Sequence, residues 1–211
     1  MFNLQEVILI NTKLIINKQS SNFSQIIKYL SLKMDNLEQK RFPIGRFEAP
    51  ENICDIKLTE YIKVIKNFPD RLKNLIEDFN EDQLDTQYRE GGWTVRQLVN
   101  HVADSHMNSL IRLKLALTEE NPTIKPYDEA KFAELQDSVN MPIKPAMRII
   151  KGTHQRWTVL LKAMTNKQFE RTFHHPEHNE SYNLRVYLAN YVWHCNHHFA
   201  HIENLKKEKN W

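Results

Sequence analysis

The sequence predicts an all-α chain built as a bundle of four long helices. Three observations lead to this class. Glycine is scarce, with 4 residues in 211, against a usual share of about 7%. Sheet folds with tight hairpins draw on glycine for positive φ, so the shortage favours helices. Helical periodicity then runs without Gly or Pro from Thr94 to about Leu117, and again from Asn183 to about Lys206. Two further helical stretches and polar, proline-marked connections of mixed length complete the pattern of a bundle.

In chain order, residues 1–33 differ from the rest. Their apolar run, Glu6 to Asn11, is short and has no basic lead or small-residue cleavage site, so it is a poor signal peptide. They are expected to be an accessory N-terminal extension, with the bundle domain spanning 34–211 from Met34. Residues 41–55 hold Pro43 and Pro50 and read as extended. Leu58 to Phe79 reads as helical but divided. Pro69 cannot donate a backbone hydrogen bond, which predicts one helix ending near Asn67 and another starting at Pro69. Residues 80–93 are a polar connection ending in Gly91-Gly92-Trp93. Thr94 with Gln97 three residues on forms a capping box and starts the second long helix. Pro122, Pro126 and Pro142 bracket a connection with a short helix at about Asp128–Leu135. The next helix runs from Pro145 to Met164. Gly152 inside it costs about 1 kcal/mol relative to Ala and marks either close packing or a break. Residues 165–181 are polar, with Pro176, and lead into the last helix.

The charge balance excludes some functions. The net charge is +3, and Lys13, Lys18, Lys28 and Lys33 against Glu6 place all of it in residues 1–33. The body is formally neutral, with no electrostatic footprint for nucleic acid. No apolar run approaches the roughly 18 residues of a membrane span. Cys54 and Cys195 make no CxxC pair and read as reduced thiols of a cytoplasmic protein. The expected partner is a small-molecule substrate.

All ten histidines lie at or after position 101. The last helix holds two HxxxH pairs, His194/His198 and His197/His201. Spacing i, i+4 puts both imidazoles of a pair on one face, as a bidentate metal site requires. Leu184, Tyr187, Tyr191, His194, His198, Ile202 and Leu205 form one continuous face, so His194 and His198 are expected to point inward. The rival face, with Asn190, Trp193, His197, His201 and Asn204, reads as wetter. Spacing leaves the third ligand open between His101, flanked by Leu98 and Val102, and His106, whose ordinary reading is a hydrogen-bonded core histidine. Neutral imidazole suits zinc and nickel, and three protein ligands leave one position for a water whose pKa falls to about 7. Cys195 follows His194 directly and points about 100° away.

Tyr88-Arg89-Glu90-Gly91-Gly92-Trp93-Thr94-Val95-Arg96-Gln97 followed by His101-Val102-Ala103-Asp104-Ser105-His106-Met107-Asn108 resembles the opening of the YfiT-type members of the DinB-like superfamily. Trp193-His194-Cys195-Asn196-His197-His198-Phe199-Ala200-His201-Ile202, with Tyr191 before it, resembles that family's closing motif. Pro126-Tyr127-Asp128-Glu129, His154-Gln155-Arg156-Trp157 and His175-Pro176-Glu177 also fit. The match runs from about Pro43 to Trp211. The resemblance implies a DinB-like four-helix bundle with one divalent metal ion, zinc first and nickel second, on His101, His194 and His198. It implies a cytoplasmic homodimer that acts as a metal-dependent hydrolase through an activated water. One alternative is a metal-dependent S-transferase adding a bacillithiol-like thiol to electrophiles. Another is a non-enzymatic, stress-related metal-binding protein. Asp104, three residues after His101, is a candidate to orient that imidazole. His154, beside Arg156 and Trp157 on another helix, is the rival proton shuttle. Phe132 stands where the family pattern has Trp, and His178-Asn179 where glycine is usual. Both loops are expected to line the mouth of the site.

Overall fold

The computed structural model describes residues 37–211, and the expected extension over 1–33 lies outside them. The chain divides at Phe42/Pro43 into two units. In the first, residues 37–41 are helical. The second, Pro43–Trp211, holds the bundle.

Its first long helix, α1 (Asp55–Ile76), starts after Cys54, with Asp55 complementing the positive end of the helix dipole. The break expected at Pro69 does not occur, and α1 runs straight through it. Proline removes the N–H that would reach the carbonyl four residues back, here Ile65. That carbonyl is satisfied from outside the helix, by His154 Nδ1 at 2.5 Å. Pro69 itself is buried beside Phe68 and Leu72 on the core face. A tertiary hydrogen bond and burial thus outweigh the local preference to stop.

The polar connection that follows contains a single helical turn, α2 (Glu81–Leu84), with an Asn80/Gln83 capping box. The second long helix, α3 (Val95–Thr118), starts as its sequence predicts. Thr94 Oγ1 accepts from Gln97 N at 3.1 Å, and Thr94 N donates to Gln97 Oε1 at 2.9 Å. The short helix expected at 128–135 is two pieces, α4 (Glu129–Ala133) and α5 (Gln136–Asn140). Both pack on α3. The third long helix, α6 (Lys144–Ala163), takes Pro145 in its first turn. Gly152 neither breaks α6 nor sits in a close contact, since a Cβ built there meets nothing within 4 Å. A further turn, α7 (Asn166–Phe169), precedes a hairpin of β1 (Thr172–His175) and β2 (Glu180–Asn183).

The sequence reading contains no strand here. The positive φ of the turn falls to Asn179, at φ 51°, and Asn tolerates the left-handed region that glycine usually fills. The strands are antiparallel, pairing Thr172 with Asn183 and His175 with Glu180. The hairpin is tied to the α3–α4 connection by His174 N donating to Pro122 O at 2.9 Å and Ile124 N donating to His174 O at 3.0 Å. The last helix, α8 (Leu184–Lys209), is capped by Asn183, whose side chain accepts from Val186 N, and ends at Asn210 in the left-handed region.

Each of α1 and α3 packs against both α6 and α8. Chain-consecutive α1 and α3 are therefore diagonal across the bundle, as are α6 and α8, whereas a simple up-and-down bundle sets consecutive helices side by side. Phe68, Leu98, Ile150, Trp157, Leu188 and Ile202 fill the interior. Among the described residues, no helix is long and apolar enough to cross a membrane.

Candidate metal centre

His101 comes from the second turn of α3, and His194 and His198 from successive turns of α8. The structure brings the three together. Each offers a ring nitrogen, and these atoms lie within 4.8 Å of one another. His194 Nε2 and His198 Nε2 are 3.2 Å apart. Two nitrogens bound to one tetrahedral zinc at about 2.0–2.1 Å stand about 3.3–3.4 Å apart, so the pair has the spacing of two ligands of one cation. The Trp93 ring lies against His101, centroids 4.6 Å apart. His101 and His198 are 6% and 7% exposed, while the half-buried His194 borders a cavity of about 760 Å³.

Burial shapes the chemistry. It lowers the pKa of His101 to about 4, helped by His197. It pushes His194 and His198 well below the usual histidine range, with the neighbouring imidazoles adding to the effect. All three are therefore neutral near pH 7, the state in which imidazole ligates metal. The buried Nδ1 of His198 has no hydrogen-bond partner among the described residues.

Behind His194 lie two further histidines. His106 is fully buried, with Nε2 3.1 Å from His194 Nδ1 and Nδ1 2.7 Å from His154 Nε2. It is the hydrogen-bonded core histidine that its stripe suggests. His154 is 1% exposed, and burial lowers its pKa to about 4 against the opposing pull of the Ile65 carbonyl. His106, His154 and Cys195 form a second group with metal-ligating atoms close together. There, however, the two imidazoles are already bonded to each other, and burial pushes the Cys195 thiol up, away from the thiolate a metal takes.

Asp104 is half-buried on α3. Burial raises its pKa, with Asp137 adding to the effect. Among the described residues, no hydrogen bond joins its carboxylate to His101. His197 and His201, at 8% and 4% exposed, are as buried as His198 and more buried than His194. The supposedly wetter face is covered by other parts of the chain. Trp193 stacks on His197 at 4.4 Å, and Tyr88 from the α2–α3 connection lies 4.1 Å from His201. Trp193 is held by a hydrogen bond from Nε1 to Gly45 O at 3.1 Å.

The cavity beside His194 is lined by Ser105, Tyr127, Glu129, His175, His178, Tyr182 and Tyr191, among others. Both loops that depart from the family pattern reach it, one through Tyr127 and Glu129 and the other through Glu177 and His178. Phe132 packs on Tyr127, centroids 4.8 Å apart, and so acts on the wall from behind. Ser105 Oγ lies 3.5 Å from His194 Nε2 and 3.3 Å from the Tyr191 hydroxyl. Sequence reasoning did not single out Tyr191 or Trp93 as parts of the site. The signal for Tyr191 was its place one turn before His194 on the same face.

The chain matches the DinB superfamily over residues 65–202. It is 49% identical over 172 residues to a protein of Oceanobacillus iheyensis, covering 82% of this chain and 99% of that one. It is 46% identical over 170 residues to YfiT of Bacillus subtilis, covering 81% and 96%. Both relatives carry the name "putative metal-dependent hydrolase". The solved structure of YfiT from Bacillus subtilis, described as having an unusual four-helix bundle topology, matches with a TM-score of 0.80 and 45% identity. That match covers 82% of this chain and 99% of the other.

Proposed function

This chain belongs to the DinB superfamily, and from that premise we propose that it is a metal-dependent hydrolase holding one divalent cation, zinc or nickel, on His101, His194 and His198. The observation that carries the reading is the pair of Nε2 atoms of His194 and His198, 3.2 Å apart beside a cavity of about 760 Å³. When bound, the cation supplies Lewis acidity and lowers the pKa of a water toward about 7. The rest falls to the chain's own groups. Buried neutral imidazoles keep their lone pairs available, and Trp93 excludes water from one flank of His101. Ser105 Oγ and the Tyr191 hydroxyl, bonded to each other, are the polar groups of the cavity wall next to His194 that a substrate oxygen would meet. Tyrosine and histidine rings on the wall suit a small substrate with both polar and apolar parts. A cytoplasmic location and a homodimer belong to the same proposal.

Metal analysis and turnover together test it. The purified protein takes up about one zinc or nickel per chain and hydrolyses activated aryl esters. His101→Ala, His194→Ala and His198→Ala each lose the metal. Full occupancy in any one variant removes that residue from the ligand set. Turnover only of a small thiol with an electrophile, and none of esters, replaces hydrolase with thiol transferase.

A further inference from the structure

The hydrogen bonds behind His194 admit one consistent assignment of protons. A carbonyl oxygen accepts and cannot donate. Ile65 lies four residues before Pro69, so its carbonyl lacks a helix donor, and His154 Nδ1 sits 2.5 Å from it. Nδ1 of His154 therefore carries the proton. A neutral imidazole has one N–H and one lone pair, so His154 Nε2 is an acceptor. Its partner at 2.7 Å, His106 Nδ1, must then donate. His106 Nε2 is left to accept, and His194 Nδ1 at 3.1 Å donates to it. The remaining ring nitrogen of His194, Nε2, is left as an acceptor, with Ser105 Oγ 3.5 Å away. This nitrogen is the atom that faces His198 Nε2.

We propose that His106 and His154 are positioning residues for His194, fixing its Nδ1–H tautomer so that its Nε2 lone pair is aimed at the cation, and that Pro69 anchors the chain by freeing the Ile65 carbonyl. This rests on the reading of His194 as a metal ligand. The four groups come one from each long helix: Ile65 from α1, His154 from α6, His106 from α3 and His194 from α8. Packing holds the ring planes. Phe68 stacks on His154 with centroids 5.4 Å apart and an interplanar angle of 27°, and Tyr191 meets the edge of His106 at 5.5 Å. A histidine ligand whose second nitrogen is held in this way keeps one tautomer and one orientation before metal arrives.

Two measurements on the full chain test the proposal, and the first needs no metal. Long-range 15N–1H correlation of the imidazoles in metal-free protein reads each tautomer directly. His154, His106 and His194 are expected as Nδ1–H. An Nε2–H form as the main species of any of the three overturns the chain. The second is zinc titration against a chromophoric chelator. Wild-type protein is expected to bind one zinc. His154→Phe keeps a flat ring against Phe68 but cannot accept from His106. It is expected to keep that stoichiometry with about 10–100-fold weaker affinity, and with His194 in mixed tautomers. Unchanged affinity together with an unchanged His194 tautomer refutes the positioning role. Two zinc ions per wild-type chain assign His106 and His154 to a second site and refute it also. Failure of the wild type to bind zinc or nickel sinks the metal reading, and the positioning role with it, while the tautomers show separately whether the hydrogen-bond chain exists. Should His154→Phe not fold, Pro69→Ala leaves every imidazole in place and restores an N–H that competes for the Ile65 carbonyl. A second His154 tautomer and weaker zinc binding are expected, and behaviour identical to wild type removes Pro69 from the scheme.

Discussion

Acid should unfold the metal-free protein early, and the size of the effect follows from two buried imidazoles. His101 and His154 titrate at about 4 in the folded protein, held down from 6.5 mainly by burial. In the unfolded chain both return to about 6.5. Between about pH 4 and 6.5 the unfolded state therefore binds more protons, so stability rises with pH across that window. The stabilisation is complete above about 6.5, is lost as pH falls, and is exhausted below about 4. Integrating the linkage from pH 7 to pH 5 gives about 2 kcal/mol for each such histidine, or about 4 kcal/mol for the pair. That is a large share of a typical total of about 5–15 kcal/mol. His106, His194 and His198, also pushed well down, add in the same direction. Urea melts with a chelator present, at pH 7, 6 and 5, should show a midpoint that falls by more than about 1 M across the series. One equivalent of zinc should raise the midpoint most at pH 7, where protons do not compete for the imidazoles. Equal midpoints at pH 7 and pH 5 without metal would mean that these histidines are not held neutral, and the reasoning fails.

Three further outcomes follow from particular contacts. Arg96, with a side chain 4% exposed, binds Glu81 and Asp85 at 2.6 Å each and donates to Met141 O at 3.1 Å. Both carboxylates are more than half exposed, which discounts the ion pairs, so Arg96→Met should cost about 2 kcal/mol in urea melts. Gly91 sits at φ +64° with open space around a built Cβ, so Gly91→Ala should cost about 1 kcal/mol through backbone strain alone, read as a lower Tm. Asp104→Asn should leave zinc affinity within about threefold of wild type, because no bond ties that carboxylate to His101, whereas loss of a true orienting partner costs about 10–100-fold. A drop of that larger size would return Asp104 to the site.

Local rules were enough for three of the long helices and for setting His194 beside His198. The Thr94/Gln97 box, the unbroken runs and the apolar face around His194 and His198 are features of neighbouring residues, and all of them hold in three dimensions. What failed needed partners distant in sequence. Pro69 reads as a stop because its donor is missing, and only the fold brings His154 to the orphaned carbonyl. The hairpin at 172–183 escaped notice because Asn179 takes the positive φ where glycine was sought. His197 and His201 looked wet on a helical wheel, which cannot show Tyr88 arriving from another segment. The choice between His101 and His106 was open for the same reason. The two differ by five residues on one helix, and the bundle places one with the α8 pair and the other behind it.

The polarity of the histidine chain explains why a proline belongs inside a helix of this bundle. Neutral imidazoles in series each donate once and accept once, so any run of them ends in one unused donor and one unused acceptor. Buried in a core, neither end can be left bare without a cost of about 1–3 kcal/mol. The donor end needs a carbonyl, and one free of a helix donor is the stronger acceptor, because a carbonyl inside a helix already accepts from the N–H four residues on. Pro69 creates one in the middle of α1, at Ile65. The acceptor end, His194 Nε2, opens beside the cavity and faces a second imidazole nitrogen at 3.2 Å. A lone pair there accepts from Ser105 Oγ at 3.5 Å or from the facing His198 nitrogen, or takes a cation, and the neutral state enforced by burial disfavours an added proton. The proline and the nitrogen proposed to ligate the metal are thus the two ends of one run of hydrogen bonds. Replacing either end without the other leaves a buried polar group unmatched.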